Sequence, residues 1–383
     1  MSAVQQSRIN VMTPWLGVEE VAAVTAVIES GWVAQGPRVA EFERSFARAM
    51  QATDAVAVSN CTTALHLALL VAGVRAGDDV VVPSFSFIAT ANAPTYVGAR
   101  PVFAEVDALT GNVTATSVAA AITPWTRAVI VVDQGGVPVD LDAVRAVCDP
   151  RDIVVIEDAA CGAGSTYKGR PVGAGAQLAA WSFHPRKILT TGEGGMLTTS
   201  NPEWAARARM LREHAMSVSA ADRHAALVSP PEEYSEIGFN FRMTDLQAAI
   251  GIVQLAKLPE AVARRRAIAA RYRRELGGVP GLRLVDDPPW GTSNFQSLWV
   301  EVADPYPLDR EQVLLALAEA GISARRGIMS AHRQSPYRHL AGHGTLPVTE
   351  RLTDRTLILP LFHTMTAADQ DRVIAVLRGP VGG

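Results

Sequence analysis

Lysine is scarce in this chain of 383 residues. Of its 35 basic residues, only Lys168, Lys187 and Lys257 are lysines, and the others are arginines. Arginine stays protonated and delocalised at neutral pH, so it cannot act as an amine nucleophile. Chemistry that needs an amine side chain therefore has three candidates here, besides the N-terminus.

Other features that define common protein classes are also missing. The formal net charge is only −3, which gives no overall attraction to nucleic acid or to an anionic membrane, and no apolar run is long enough to span a bilayer. The cysteines, Cys61, Cys148 and Cys161, are odd in number and far apart, and no pair has zinc-site spacing. We therefore expect a reducing, cytoplasmic setting, with small molecules as partners rather than nucleic acid or membranes.

Two nucleotide-binding signatures are absent as well. The chain has no GxxxxGK[ST] phosphate loop, and no GxGxxG motif opens a helix early in the sequence. Their absence argues against a kinase and against a standard Rossmann dehydrogenase.

What the chain does have is a regular alternation of short apolar runs and helical patterns over its first two thirds. The runs predict strands at 55–59, 79–84, 127–133, 152–158, 178–183 and 194–199, with helices at 62–74 and 141–148 among the segments between them. This order predicts an α/β fold with a mainly parallel sheet covered by helices on both faces. In such sheets ligands bind at the carboxyl ends of the strands.

The pattern changes near Leu258-Pro259. An arginine-rich helix is predicted over 260–276, with its charges on a solvated face, then a strand at 297–302 and a helix at 309–321. The C-terminus is predicted as strand, loop and helix. We therefore expect a large α/β domain over residues 1–256 and a smaller C-terminal α+β domain over residues 257–383.

Polar residues follow two of the predicted strands. The turn SNCTT precedes a helix, so Thr62 and Thr63 either cradle a phosphate at the helix N-terminus or simply cap that helix. Asp158 ends an apolar strand, where a buried carboxylate needs a cationic or hydrogen-bonded partner. A pyridinium nitrogen would serve, and the alternative is that Glu157 or Asp158 caps a following helix.

Two further segments supply an amine and an aromatic ring. In FHPRKILTTGEGG (183–195), Lys187 is either a Schiff-base amine or a flexible surface lysine; burial and Arg186 would lower its pKa. In PSFSFIATANA (83–93), Phe85 and Phe87 could stack on a planar ring, and we expect one of them to pack in the core. A phosphate cradle, an acid, an amine and an aromatic platform are what pyridoxal phosphate requires.

These four segments occur in an order that resembles a known family. Together with SGWVAQGPRVAEFE (30–43) and EIGFNFRMTDLQAAIG (236–251), they resemble the pyridoxal-phosphate-dependent sugar aminotransferases of the DegT/DnrJ/EryC1/StrS type. The resemblance runs from about Trp32 to the C-terminus. It implies the fold type I architecture of PLP transferases.

The resemblance also implies roles for individual residues. Lys187 would bond to the cofactor aldehyde and later move protons as general acid and base, while Asp158 would keep the pyridine nitrogen protonated. Asn240 would reach the phosphate of a neighbouring subunit's cofactor, which implies a homodimer with shared sites. The remaining implied cofactor contacts are phosphate binding by Thr62, Thr63 and Ser182, ring stacking by Phe87, and Cys161 near the ring hydroxyl.

Two positions depart from the family pattern. Cys161 stands where the family usually has Gln or His, and a thiol is the weaker hydrogen-bonding group. Asp133-Gln134 replaces a common His beside the active site of relatives, so substrate contacts are expected to differ there.

By the same resemblance, the expected reaction moves an amino group from glutamate or glutamine to a keto group of a nucleotide-linked sugar. The cofactor would alternate between pyridoxal and pyridoxamine phosphate. RRGIMSAHRQSPYR (325–338) resembles a substrate-side segment and supplies Arg325, Arg326 and His332 as candidate substrate ligands. Two alternatives stay open: a keto-cyclitol acceptor, and a non-catalytic cofactor-binding regulatory protein on the same fold.

Overall fold

The computed structural model describes residues 8–218, 231–340 and 345–379. The strands in these residues are β1 (Asp54–Val58), β2 (Asp79–Pro83), β3 (Arg100–Ala104), β4 (Thr126–Val132), β5 (Val154–Asp158), β6 (Thr166–Tyr167), β7 (Arg170–Pro171), β8 (Leu178–Ser182), β9 (Gly195–Thr199), β10 (Leu282–Leu284), β11 (Gly291–Thr292), β12 (Leu298–Val302), β13 (Arg325–Arg326) and β14 (Thr356–Leu359). The α-helices are α1 (Val18–Ser30), α2 (Pro37–Ala49), α3 (Cys61–Val71), α4 (Ile88–Tyr96), α5 (Ala115–Ala121), α6 (Leu141–Cys148), α7 (Pro202–Arg212), α8 (Asp245–Leu276), α9 (Arg310–Glu319), α10 (Pro347–Arg355) and α11 (Ala367–Arg378).

The main sheet has seven strands in the order β1-β9-β8-β5-β4-β2-β3. The neighbours from β8 to β3 all pair in parallel, whereas β9 runs antiparallel to both β8 and β1. This arrangement confirms the predicted α/β fold with a mainly parallel sheet. The predicted strands fall within a residue or two of β1, β2, β4, β5, β8 and β9.

The apolar runs form strands because both faces of the sheet are covered. On β4, Ala128 and Ile130 pack into one core cluster and Val129 and Val131 into another, as the two-residue period of a strand requires. A sheet buried on both sides favours continuous Val and Ile runs over alternation with polar residues.

The C-terminal part contains a second, smaller sheet of four antiparallel strands in the order β10-β12-β14-β13. Its central pair corresponds to the predicted strand at 297–302 and to the predicted terminal strand, and α11 is the predicted terminal helix. A three-stranded sheet, β11-β6-β7, links residues from both parts of the chain.

The predicted domain boundary at 256/257 falls inside α8. This helix begins after Thr244, whose hydroxyl accepts from the Gln247 N–H, and it continues through Pro259. The change in composition near Pro259 is therefore not a break in the helix. One core cluster joins Val131 to Trp299, so the two parts share a core. The division into domains stays a prediction.

None of the helices in the described residues is long and apolar enough to cross a bilayer. Helix α8, with 32 residues, is long enough to do so but is rich in arginine along its second half.

Candidate active site

A cavity of about 470 Å³ opens where the strands of the main sheet end. Loops that follow β1, β2, β4, β5 and β8 all contribute to its lining, as expected for the carboxyl edge of a parallel sheet. The cavity brings together most of the predicted site residues, namely Thr62, Phe87, Asp158, Cys161, Ser182, Lys187, Arg325 and Arg326.

The three lysines have different surroundings. Lys168 forms an ion pair with Asp142 at 2.6 Å, and Lys257 forms one with Glu20 at 2.8 Å. Only Lys187 lines the cavity. It lies on the connection between β8 and β9, where its N–H donates to the His184 carbonyl at 2.8 Å. The scarcity of lysine in the sequence therefore leaves one amine in this site.

The Lys187 amine faces sulfur and carboxylate groups. Its Nζ donates a hydrogen bond to Cys161 Sγ at 3.1 Å. Burial acts to lower the pKa of Lys187, but Cys161, Cys61 and Asp158 outweigh burial, so this pKa is raised. The lowered pKa expected from burial and Arg186 is therefore wrong, because sulfur and carboxylate groups around the amine favour its charged form.

Asp158, the last residue of β5, is the acid of the cavity. Its Oδ2 accepts from Thr90 Oγ1 at 2.9 Å and its Oδ1 from the Ala160 N–H at 3.2 Å. Burial raises the pKa of Asp158, although the Thr90 hydrogen bond and Lys187 act against it. A cation bound beside this carboxylate would relieve the cost of burying its charge.

Thr90 was missed in the sequence. It lies in the first turn of α4, three residues after Phe87. Its spacing from the predicted aromatic residue is the sequence feature that could have indicated it. Its Oγ1 also bonds Ser86 Oγ at 2.7 Å, and this chain of hydroxyls orients the carboxylate.

The start of α3 provides the predicted anion site. Asn60 is the N-cap: its side chain accepts from the Thr63 N–H at 2.9 Å, and Thr63 Oγ1 bonds the Asn60 carbonyl at 2.7 Å. Thr63 therefore completes the capping box and lies outside the cavity lining, whereas Thr62 lies within it. The first-turn N–H groups that Asn60 does not satisfy are suited to a phosphate.

Gly195, at the start of β9, packs directly against this helix start. A Cβ there would overlap the Asn60 carbonyl group and come within 2.7 Å of the Cys61 nitrogen. Glycine is needed for this close approach, which accounts for one glycine of the GEGG motif.

The two phenylalanines have the division of roles that the sequence suggested. Phe85 is 1% exposed and belongs to the core, whereas Phe87 is 64% exposed and lines the cavity. Phe87 is thus available to stack on a planar ring.

The two arginines of β13 differ in their partners. Arg326 forms a bidentate ion pair with Glu311, with Nε at 2.9 Å and a second nitrogen at 2.5 Å. Arg325 has no ion pair or hydrogen bond to any described side chain, and burial together with Arg186 lowers its pKa. Arg186 lines the same cavity but was not predicted as a site residue, because nothing in the sequence distinguishes it from the many other arginines.

His332 and Asn240 lie outside the lining of the cavity. His332 Nδ1 lies 2.6 Å from Ser84 Oγ, and its Nε2 lies 3.3 Å from Glu350 Oε1. These two groups position the His332 ring outside the cavity. Asn240 is exposed on the surface of its own chain. Of the pair that replaces the family's histidine, Gln134 lines the cavity and Asp133 is fully buried.

The groups in the cavity fit pyridoxal phosphate. The described residues supply one amine, one buried acid that favours a cationic neighbour, a helix start for the phosphate and an exposed aromatic ring, all lining a single cavity. Of these, the buried acid is the most selective, because Asp158 is 5% exposed and has no ion-pair partner among the described residues.

Comparison with known proteins defines the class. A family model described as the DegT/DnrJ/EryC1/StrS aminotransferase family matches residues 14–378, so the chain belongs to that family. The chain is thus a pyridoxal-phosphate-dependent sugar aminotransferase with the fold of type I PLP transferases, as the sequence predicted.

Solved structures of aminotransferases are similar to this chain over nearly its whole length. The aminotransferase TlmJ from Streptoalloteichus hindustanus is 39% identical, with 97% of this chain and 98% of that chain covered and a TM-score of 0.88. The sugar aminotransferase CalS13 from Micromonospora echinospora is 30% identical, with 97% and 99% covered and a TM-score of 0.87. The PLP form of Spr1654 from Streptococcus pneumoniae is 26% identical, with 97% and 98% covered and a TM-score of 0.90.

Proposed function

We propose that this enzyme transfers an amino group from glutamate or glutamine to a keto group of a nucleotide-linked sugar. The observation that supports this acceptor is a pair of arginines in the cavity, Arg186 and Arg325, of which Arg325 has no ion-pair partner among the described residues. Guanidinium groups bind phosphate oxygens in a bidentate manner, so this pair is suited to a diphosphate. A keto-cyclitol without phosphate would leave both charges unused.

The proposed roles follow from the positions of the side chains. Pyridoxal phosphate, when bound, supplies the electron sink and carries the amino group between the two substrates. Lys187 would hold the cofactor and move a proton at the carbon that carries the amino group. Asp158 would keep the ring nitrogen protonated, oriented by its hydrogen bond from Thr90.

The remaining cofactor contacts are proposed on the same basis. Thr62, Ser182 and the first turn of α3 would bind the phosphate, with Thr63 supporting that turn through the capping box. Phe87 would stack on the ring. Asn240, exposed on its own chain, would complete the phosphate site of a second copy in a homodimer. The cytoplasmic setting expected from the cysteines stays a prediction.

The acceptor is tested by running the reaction in reverse. Purified holoenzyme is offered 2-oxoglutarate with a panel of nucleotide-linked amino sugars, free amino sugars and amino-cyclitols, and glutamate formation is measured. We expect turnover only with nucleotide-linked substrates. Turnover confined to free amino-cyclitols would contradict the proposal and identify the alternative acceptor.

A matched pair of variants tests the arginine that supports this proposal. Arg325→Met should raise KM for the nucleotide-linked sugar about 10- to 100-fold, the loss expected for one charged hydrogen-bonding group. Arg326→Met is the control, because the guanidinium of Arg326 is already paired with Glu311. Equal KM values for the two variants would remove the support for a diphosphate site at Arg325.

A further inference from the structure

We propose that Cys161 is a positioning residue whose sulfur holds the Lys187 amine whenever that amine is not bonded to the cofactor. The inference rests on the proposed role of Lys187 as the cofactor lysine. It starts from the hydrogen bond from Nζ to Sγ at 3.1 Å, the one hydrogen bond of this amine to the described residues.

The backbone of Cys161 is held firmly in place. Its carbonyl accepts from Asn294 Nδ2 at 2.7 Å, and the same amide nitrogen donates to the Ala163 carbonyl at 2.7 Å. Asn294 is fully buried, and Gly136 beside it has a φ of +96° and leaves no room for a Cβ. The sulfur is thus presented to Lys187 from a rigid turn.

The charges around the pair favour this contact. Cys61 and Asp158 face Lys187 from α3 and β5, and His184 faces it from its own loop. The buried guanidinium of Arg265 on α8 interacts electrostatically with Cys161. Among the described residues, the Cys161 sulfur is the one acceptor within hydrogen-bond distance of the amine.

The other two cysteines lack such a contact. Cys61 Sγ lies 3.9 Å from a carboxylate oxygen of Asp158, and burial together with that carboxylate raises its pKa well above the ordinary value. Cys148 is fully buried in the core, where burial raises its pKa to about 11. Cys148 lies away from the cavity and provides an internal control.

The hydrogen bond between Lys187 and Cys161 should affect how the apoenzyme binds the cofactor. Only the neutral amine can attack the aldehyde carbon, and the nitrogen–carbon bond then forms with loss of water. A hydrogen bond that stabilises the ammonium form raises the pH at which the neutral amine becomes available for this step. Cys161 should therefore set the pH dependence with which the apoenzyme takes up pyridoxal phosphate.

The experiment measures that uptake directly, without any sugar substrate. Apoenzyme is mixed with pyridoxal phosphate between about pH 6 and about pH 10, and the rate of the absorbance change is followed for wild type, Cys161→Ala, Cys161→Ser and the control Cys148→Ala. Cys161→Ala should load about tenfold faster near neutral pH, with its midpoint about one pH unit lower, the effect expected for loss of one charged hydrogen bond. Cys161→Ser should fall between, and Cys148→Ala should match wild type.

A profile for Cys161→Ala that superimposes on wild type would overturn the proposal. If that variant does not fold, Cys161→Ser decides by the same comparison. Borohydride reduction and peptide mapping after loading separate the two hypotheses: a label on Lys168 or Lys257 contradicts the role of Lys187 and with it this inference. Correct labelling of Lys187 with unchanged pH profiles contradicts only the role of Cys161.

Discussion

Glu157 and Asp158 are neighbours on β5, yet their side chains lie in different surroundings on opposite faces of the sheet. Both side chains are buried, at 2% and 5% exposure, and the strand period points them to opposite faces. Asp158 accepts hydrogen bonds from Thr90 and Ala160 beside the Lys187 amine. Glu157 Oε2 has no hydrogen-bond partner among the described residues, nor does Asp133 Oδ2 at the end of β4.

One strand thus carries both Asp158, which is proposed to hold the cofactor, and Glu157, which has no proposed role in the site. On the cavity face, hydroxyl, amide and ammonium groups partly offset the burial of a negative charge, although the pKa of Asp158 is still raised. On the opposite face, burial raises the pKa of Glu157 to about 7, and burial together with Glu157 and Asp158 raises the pKa of Asp133 well above its ordinary value. The second face therefore favours the protonated form of its carboxyl groups instead of stabilising their charge.

The largest effect is expected from changing Asp158, the acid proposed to hold the cofactor. Asp158→Asn should lower kcat by roughly 10²-fold or more, because an amide cannot hold a proton on the ring nitrogen by charge. The measurement is the half-reaction with amino donors, followed by the absorbance of the bound cofactor. Asp142→Asn, which changes an exposed acid paired with Lys168, is the matched control.

Near-wild-type half-reaction rates for Asp158→Asn would break the comparison, since the well-partnered acid would then be as dispensable as its neighbour. Loss of activity in the Asp142 control would instead indicate a nonspecific effect of removing a negative charge.

A smaller effect, on stability, is expected from changing Glu157. The pKa of Glu157 in the folded protein, about 7, lies above its ordinary value of 4.5. The neutral form therefore favours folding, and this contribution is full below about pH 4.5 and is lost as the pH rises through about pH 7. Its upper limit is about 3 kcal/mol.

Glu157→Gln stays neutral at every pH and should remove this pH dependence of stability. The measurement is Tm from about pH 5 to about pH 8, with the exposed substitution Glu319→Gln as control. We expect wild type to lose stability relative to Glu157→Gln as pH rises, while the control follows wild type. A constant difference between wild type and Glu157→Gln across this range would show that Glu157 is not kept neutral by the fold.

The strands and the main site were predictable from the sequence for a physical reason. Buried parallel strands need continuous apolar runs, and such sheets bind ligands where the strands end, so Lys187, Asp158 and Phe87 could be placed at one edge. The antiparallel direction of β9 was not predictable, because its apolar run looks the same in either direction.

Features that depend on tertiary partners could not be read from the chain. Thr63 and Thr62 look equivalent until the Asn60 cap separates them, and Arg325 and Arg326 look equivalent until Glu311 pairs with one. The raised pKa of Lys187 depends on sulfur and carboxylate groups that lie close to it only in the folded protein. Composition left three candidate lysines, and the packing around Lys187 determines the direction of its pKa shift.

The central claim is that Lys187 is the amine through which the cofactor acts. The most direct measurement is borohydride reduction of the holoenzyme, followed by peptide mapping, with Lys187→Ala and the control Lys257→Ala treated in parallel. We predict that wild type and the Lys257 variant carry the reduced cofactor on Lys187, and that Lys187→Ala carries none and shows no bound-cofactor absorbance. A label on Lys168 or Lys257, or transamination by Lys187→Ala, would contradict the claim.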